Sequence, residues 1–157
     1  MDPIDRLLAT EDIRSLRIKY AHLLDSNHVD RLGEVFASDA IVDAGRGKWH
    51  GLEAVLAGLS EAFAAYDTTG SGIYPFHHAI TNHWIEFTGP GTAEGRSYLI
   101  DLQTDPNDER WILLGTYADE YRIENGAWRI SRSRLDVTWP VPAVGGGLPA
   151  ADLVLPE

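Results

Sequence analysis

Residues 115–130, G-T-Y-A-D-E-Y-R-I-E-N-G-A-W-R-I, constrain the fold more than any other stretch. They read as two antiparallel strands joined at Asn125-Gly126, because both residues tolerate the positive φ that a tight primed turn demands. Side chains alternate across a strand, so Tyr117, Asp119 and Tyr121 share one face before the turn. Trp128 and Ile130 share a face after it. The hairpin specifies no chemistry, but it makes the C-terminal half a sheet on which N-terminal helices can pack.

The rest of the chain falls into place around it. Thr10, followed by Glu11 and Asp12, reads as a helix cap with acids in the first turn, where the helix dipole favours them. That helix runs to about Asp25 or Ser26, with Ile13, Leu16, Tyr20, Leu23 and Leu24 as the buried stripe. A short second helix is predicted over 29–37, capped by Asp30, with Leu32, Val35 and Phe36 turned inward. A short strand over 40–43 and a loop over 45–51, holding Trp49 and His50, come next. The third helix covers 52–65. Strands follow over 76–87, 93–104, 110–122 and 127–139, separated by turns at 89–91 and 105–108. Helices grouped before an antiparallel meander predict an α+β fold, with three N-terminal helices packed on a curved, mostly antiparallel sheet. Residues 1–140 form a single domain in this reading, and 141–157 an irregular tail.

Composition removes whole classes of function. With 24 acids against 13 bases the net charge is −11, which argues against nucleic acid and anionic membranes as partners. The absence of cysteine removes disulfides, thiolate catalysis and Cys-type zinc sites. No apolar run reaches the length of a membrane span, and M-D-P-I-D-R lacks the features of a secretory signal, so a soluble cytoplasmic protein is expected. No G-x-G-x-x-G, P-loop or G-x-S-x-G motif is present, so no cofactor is expected. The histidines show no metal-binding spacing, and no metal is expected either.

Three groups of polar residues carry candidate chemistry. Asp25 ends the first helix beside its apolar stripe, where a buried carboxylate needs a partner. An exposed acid ending a helix is the plain alternative. In F-H-H-A-I-T-N-H-W, His78 shares a strand face with Phe76, Ile80, Asn82 and Trp84, while His77 and His83 take the other. A histidine among apolar neighbours suits a general base, or is simply structural. Arg132 and Arg134 share a face of the last strand, opposite Ser131 and Ser133, and are either an anion site or a solvated face. Trp49, Trp84, Tyr98, Trp111, Leu113 and Tyr117 supply apolar wall to a pocket between sheet and helices, and Arg132 its charged group.

L-R-I-K-Y-A-H-L-L-D, F-H-H-A-I-T-N and the G-T-Y-A-D-E-Y hairpin, in that order, resemble the SnoaL-like branch of the NTF2-like superfamily. The likeness covers about residues 5–140. It is closest to the group of γ-hexachlorocyclohexane dehydrochlorinase, scytalone dehydratase and the bile-acid 7α-dehydratases. The resemblance implies a cone-shaped α+β barrel and a homo-oligomer, dimer or trimer. It also implies a catalytic base at His78, oriented by Asp25, with Tyr20 as a hydrogen-bond donor. Where the dehydrochlorinase carries an arginine on its last strand, this chain has Ser133, flanked by Arg132 and Arg134. The function implied is a cofactor-independent lyase, a dehydratase-type elimination on a small hydrophobic cyclic substrate. An isomerase or polyketide-type cyclase using the same pair, and a non-catalytic ligand-binding or subunit domain, are the alternatives.

Overall fold

The computed structural model describes residues 1–44, 47–67, 70–72, 76–103 and 112–139. The first helix, α1 (Pro3–Asp25), starts seven residues before the Thr10 cap expected from sequence. Asp2 caps it by accepting the Ile4 N–H at 2.8 Å, and Pro3 occupies the first position, where its missing N–H costs nothing. Thr10 lies inside the helix and returns its hydroxyl to the Arg6 carbonyl, 2.8 Å away. The predicted stripe of Ile13, Leu16, Tyr20, Leu23 and Leu24 is buried, and Arg17 is buried among them. At the far end Asn27 takes φ 58°, so that His28 N–H reaches Leu23 O and Asn27 N–H reaches Leu24 O. This pair of bonds stops the helix directly after Asp25.

The predicted second helix is instead a 3₁₀ helix over Val29–Glu34, and Phe36 and Ala37 belong to strand β1 (Phe36–Asp43). Sheet pairing wins over helix continuation here, because Ile130 N–H bonds to Val35 O and Phe36 pairs with Ile130. Leu32, Val35 and Phe36 are buried as predicted. The expected 45–51 loop contains a short strand, β2 (Lys48–His50), antiparallel to β1. The next helix, α2 (Leu52–Tyr66), is followed by β3 (Phe76–Gly89), β4 (Thr92–Gln103), β5 (Ile112–Glu124) and β6 (Ala127–Trp139). Among the described residues, two α-helices and a 3₁₀ helix therefore stand where three helices were expected.

The six strands form one sheet in the order β2-β1-β6-β5-β4-β3, with β1 parallel to β6 and every other pair antiparallel. The sheet is open, with β2 and β3 at its edges. Because α1 packs against both β3 and β6, which lie at separate places in the strand order, the sheet must curl around the helix. Asn125 and Gly126 both have positive φ and Glu124 pairs with Ala127, the primed turn read from the hairpin. Among the described residues no helix is long and apolar enough to cross a membrane. The turn at 105–108, Trp111 and the 141–157 tail lie outside the described residues.

Trp49 of β2 packs partly buried against the core. Its indole lies on Gly58 of α2, and a Cβ on Gly58 would collide with the ring. Gly58→Ala is therefore expected to destabilise the fold by about 1–2 kcal/mol, although alanine alone would favour the helix. Urea denaturation checks this, and a stabilised variant would show that the indole moves aside.

Candidate active site

The abrupt end of α1 sets Asp25 against the start of β3. Its Oδ2 accepts the backbone N–H of His78 at 3.0 Å, and its Oδ1 lies 2.5 Å from His78 Nδ1. The His78 side chain is only 5% exposed. A carboxylate offers only acceptors, so this contact requires the proton on Nδ1 and leaves the lone pair of the neutral ring on Nε2. Gripping both the backbone and the ring, Asp25 holds the imidazole in place.

Tyr20 and Asp101 flank the ring, with Tyr117 and Leu113 beside them. Tyr20, five residues before Asp25, packs edge-on to His78 with centroids 6.1 Å apart, and Tyr117 of β5 packs edge-on to Tyr20 at 6.0 Å. Burial pushes both phenols above the ordinary tyrosine value, so they remain hydrogen-bond donors. Asp101 of β4 pairs with His78 across the ladder and presents Oδ2 4.0 Å from Nε2. Leu113 of β5, opposite Asp101, packs half-buried on the core.

Asp101 is buried, and burial pushes its carboxyl up to about 6; His78 pulls it down and Asp25 pushes it further up. The native state therefore holds this proton more tightly than the unfolded chain, whose aspartates titrate near 3.9. Stability contributed at low pH is lost as pH rises through about 4 to 6. Asp101→Asn removes that penalty. The variant is expected to be more stable than wild type by roughly 1–3 kcal/mol near pH 8, with the difference fading below about pH 4. Urea midpoints at the two pH values check the sign.

Behind this group lies a second polar cluster. Arg17 and Asp119 are 1% and 0% exposed; Arg17 Nε donates to Asp119 Oδ2 at 2.7 Å, and its second nitrogen reaches Asp119 Oδ1 and Ser133 Oγ. The guanidinium also stacks 3.8 Å above the Tyr117 ring. Burial pulls the Arg17 pKa down, but the charge and hydrogen bonds of Asp119 outweigh it and raise it overall. Tyr121 O–H donates to Asp119 Oδ2 at 2.9 Å, and His83 Nε2 lies 3.0 Å from that phenol. Burial lowers His83 to about 4, and because the Tyr121 hydrogen is given to Asp119, it is Nε2–H that donates to the Tyr121 oxygen. None of these pairings follows from the sequence alone. The available signal is Arg17 at helical spacing between Ile13 and Tyr20, with Asp119 on the Tyr117–Tyr121 face: two buried charges that need one another.

Several expected wall residues lie elsewhere. Asn82 adopts φ 50° within a bulge between Thr81 and Trp84, and that shift reverses the alternation of β3. His83 consequently points inward and Trp84, 49% exposed, points outward, contrary to the shared face predicted with His78. Tyr98 lies partly exposed between the buried Ser97 and Leu99, on the outer face. Arg132 is also outside, 3.6 Å from Glu120, while Ser133 faces in and Arg134 Nε donates to Asp136 at 3.0 Å. Among the described wall residues, Leu113 lies opposite Asp101 and Tyr117 packs on Tyr20, beside the Asp25–His78 pair. A surface cleft of about 580 Å³ lies elsewhere, between the first turn of α1 and the β3–β4 turn. Among the described residues no three His, Asp or Glu side chains converge as a metal site would require.

The family model of the SnoaL-like domain matches residues 5–134. No curated protein matches the chain significantly. Among solved structures, a candidate scytalone dehydratase from Novosphingobium aromaticivorans superposes with a TM-score of 0.76 at 24% identity, over 94% of this chain and 97% of that one. A hexachlorocyclohexane dehydrochlorinase from Novosphingobium barchaimii gives 0.76 at 21% identity, over 92% and 96%. A protein of unknown function with a cystatin-like fold from Nostoc punctiforme gives 0.72 at 21%, over 90% and 97%. At these identities the likeness concerns the fold.

Proposed function

The chain belongs to the SnoaL-like domain family, and from that premise we propose that it is a cofactor-independent lyase with His78 as its base. The substrate class is a small, largely apolar cyclic compound whose C–H bond is acidified by a carbonyl or a neighbouring leaving group. The observation that carries this reading is the double contact of Asp25 with the His78 ring and backbone. Nε2 removes the carbon-bound proton, and Asp25 steadies the imidazolium that forms, as aspartate does for the histidine of serine proteases. Tyr20, kept protonated by burial, donates to the carbonyl oxygen where negative charge develops.

The test is direct. Purified protein is incubated with γ-hexachlorocyclohexane, β-hydroxycyclohexanone and β-chlorocyclohexanone, and elimination products are followed by chromatography and by enone absorbance. Elimination above the uncatalysed rate, lost in Asp25→Asn, supports the reading. Exchange of the acidic C–H for deuterium without elimination would redirect it to an isomerase. Neither reaction with any probe would count against a catalytic base.

A further inference from the structure

We propose that Asp101 is the proton donor to the leaving group, and that the site is therefore built to expel a hydroxyl rather than a halide. This assignment rests on the lyase reading of Asp25 and His78 and specifies its substrate class. Its first support is geometric. Asp101 and His78 are ladder partners on adjacent strands, facing the same side of the sheet with Oδ2 and Nε2 4.0 Å apart. That spacing is too long for a direct hydrogen bond but short enough for both groups to reach neighbouring atoms of one small molecule.

The second support is an unsatisfied atom. Asp101 is a buried residue, and among the described residues its Oδ1 has no hydrogen-bond partner. Buried carboxyl oxygens are normally paired, and an orphan beside a base is a position prepared for a ligand atom. The groups facing Asp101 are His78 of β3, Asp25 and Tyr20 of α1, and Leu113 and Tyr117 of β5, with His77 contributing charge. Burial and Asp25 outweigh His78 and His77, so a minor share of the carboxyl, about a tenth at pH 7, still holds its proton, far more than an ordinary aspartate would.

A protonated acid beside a base is what dehydration requires. Hydroxide is a poor leaving group and must depart as water, whereas chloride departs as a weakly basic anion and needs no proton. In the step assigned here, Nε2 of His78 takes the proton and the C–H electron pair forms the new C=C bond. The C–O bond breaks as the Asp101 O–H proton passes to the departing oxygen, releasing water. An imidazolium and a carboxylate then face one another across 4.0 Å, and return of the proton from Nε2 to Asp101 resets the pair. No proton is gained or lost over the cycle.

The test pairs two probes that give the same product, β-hydroxycyclohexanone and β-chlorocyclohexanone, both converted to cyclohexenone. Asp101→Asn keeps the shape and removes the donated proton. It is expected to slow the hydroxy ketone by about 10²–10³-fold and to leave the chloro ketone nearly unaffected. A wild type active only on the chloro ketone, or a variant slowed equally on both, would overturn the role of Asp101 and leave the His78 base standing. A wild type inert towards both would overturn the elimination reading and this assignment with it. A readout independent of turnover is the carboxyl ¹³C titration of Asp101, expected at about 6. A midpoint in the ordinary carboxylate range overturns the assignment, because no proton would remain to donate near neutrality.

Discussion

His78→Gln is expected to lower the elimination rate by about 10²–10⁴-fold while the protein stays folded. Glutamine keeps much of the volume and can still donate to Asp25, but it has no nitrogen able to accept a proton at neutral pH. Asp25→Asn is expected to fall in the same range by a different route. Its carbonyl can accept one of the two bonds Asp25 makes, but its NH₂ would face the other donor and favour turning the ring over. Both losses should appear in kcat, with far-UV circular dichroism unchanged. If His78→Gln retains wild-type kcat, the base lies elsewhere.

The second large effect concerns stability. Arg17→Met is expected to destabilise the fold by about 3–5 kcal/mol, because it strands the Asp119 carboxylate in the core with Tyr121 as its remaining donor. Asp119→Leu should cost a similar amount by stranding Arg17. The double variant Arg17→Met, Asp119→Leu is expected to recover much of either loss, since two apolar side chains need no partner. Urea denaturation at neutral pH measures all three. Additive losses would mean that the pair does not act as a unit. The exposed Arg132–Glu120 pair is the contrast, and breaking it should cost no more than about 1 kcal/mol.

What can be read from the sequence follows from what is local. The Asn125-Gly126 turn, the stripe of α1 and the span of β6 rest on periodicity and turn chemistry within a few residues of each other. Asp25, His78 and Tyr20 can be nominated because each borders such a pattern, and the structure brings the three into one group. Pairings over long separations are not legible. Arg17 and Asp119 are 102 residues apart, and only the fold shows that each answers the other. Asp101 becomes visible once the β3–β4 register puts it opposite His78. Trp84 takes the face opposite to the predicted one because a single asparagine inside a strand pattern does not announce a bulge, yet the bulge at Asn82 reverses the residues after it. The start of α1 escapes detection for a simpler reason: Ile4, Leu7 and Leu8 are exposed in the structure, so the first turns carry no buried stripe.

The measurement closest to the central claim is the tautomer of His78, read from the ¹⁵N shifts of its two ring nitrogens in histidine-labelled protein. The neutral ring is expected to carry its proton on Nδ1, held by Asp25, with Nε2 as the basic nitrogen, and to lose that preference in Asp25→Asn. A neutral ring protonated on Nε2 in the wild type would contradict the account, because the nitrogen assigned to take the substrate's proton would already hold one.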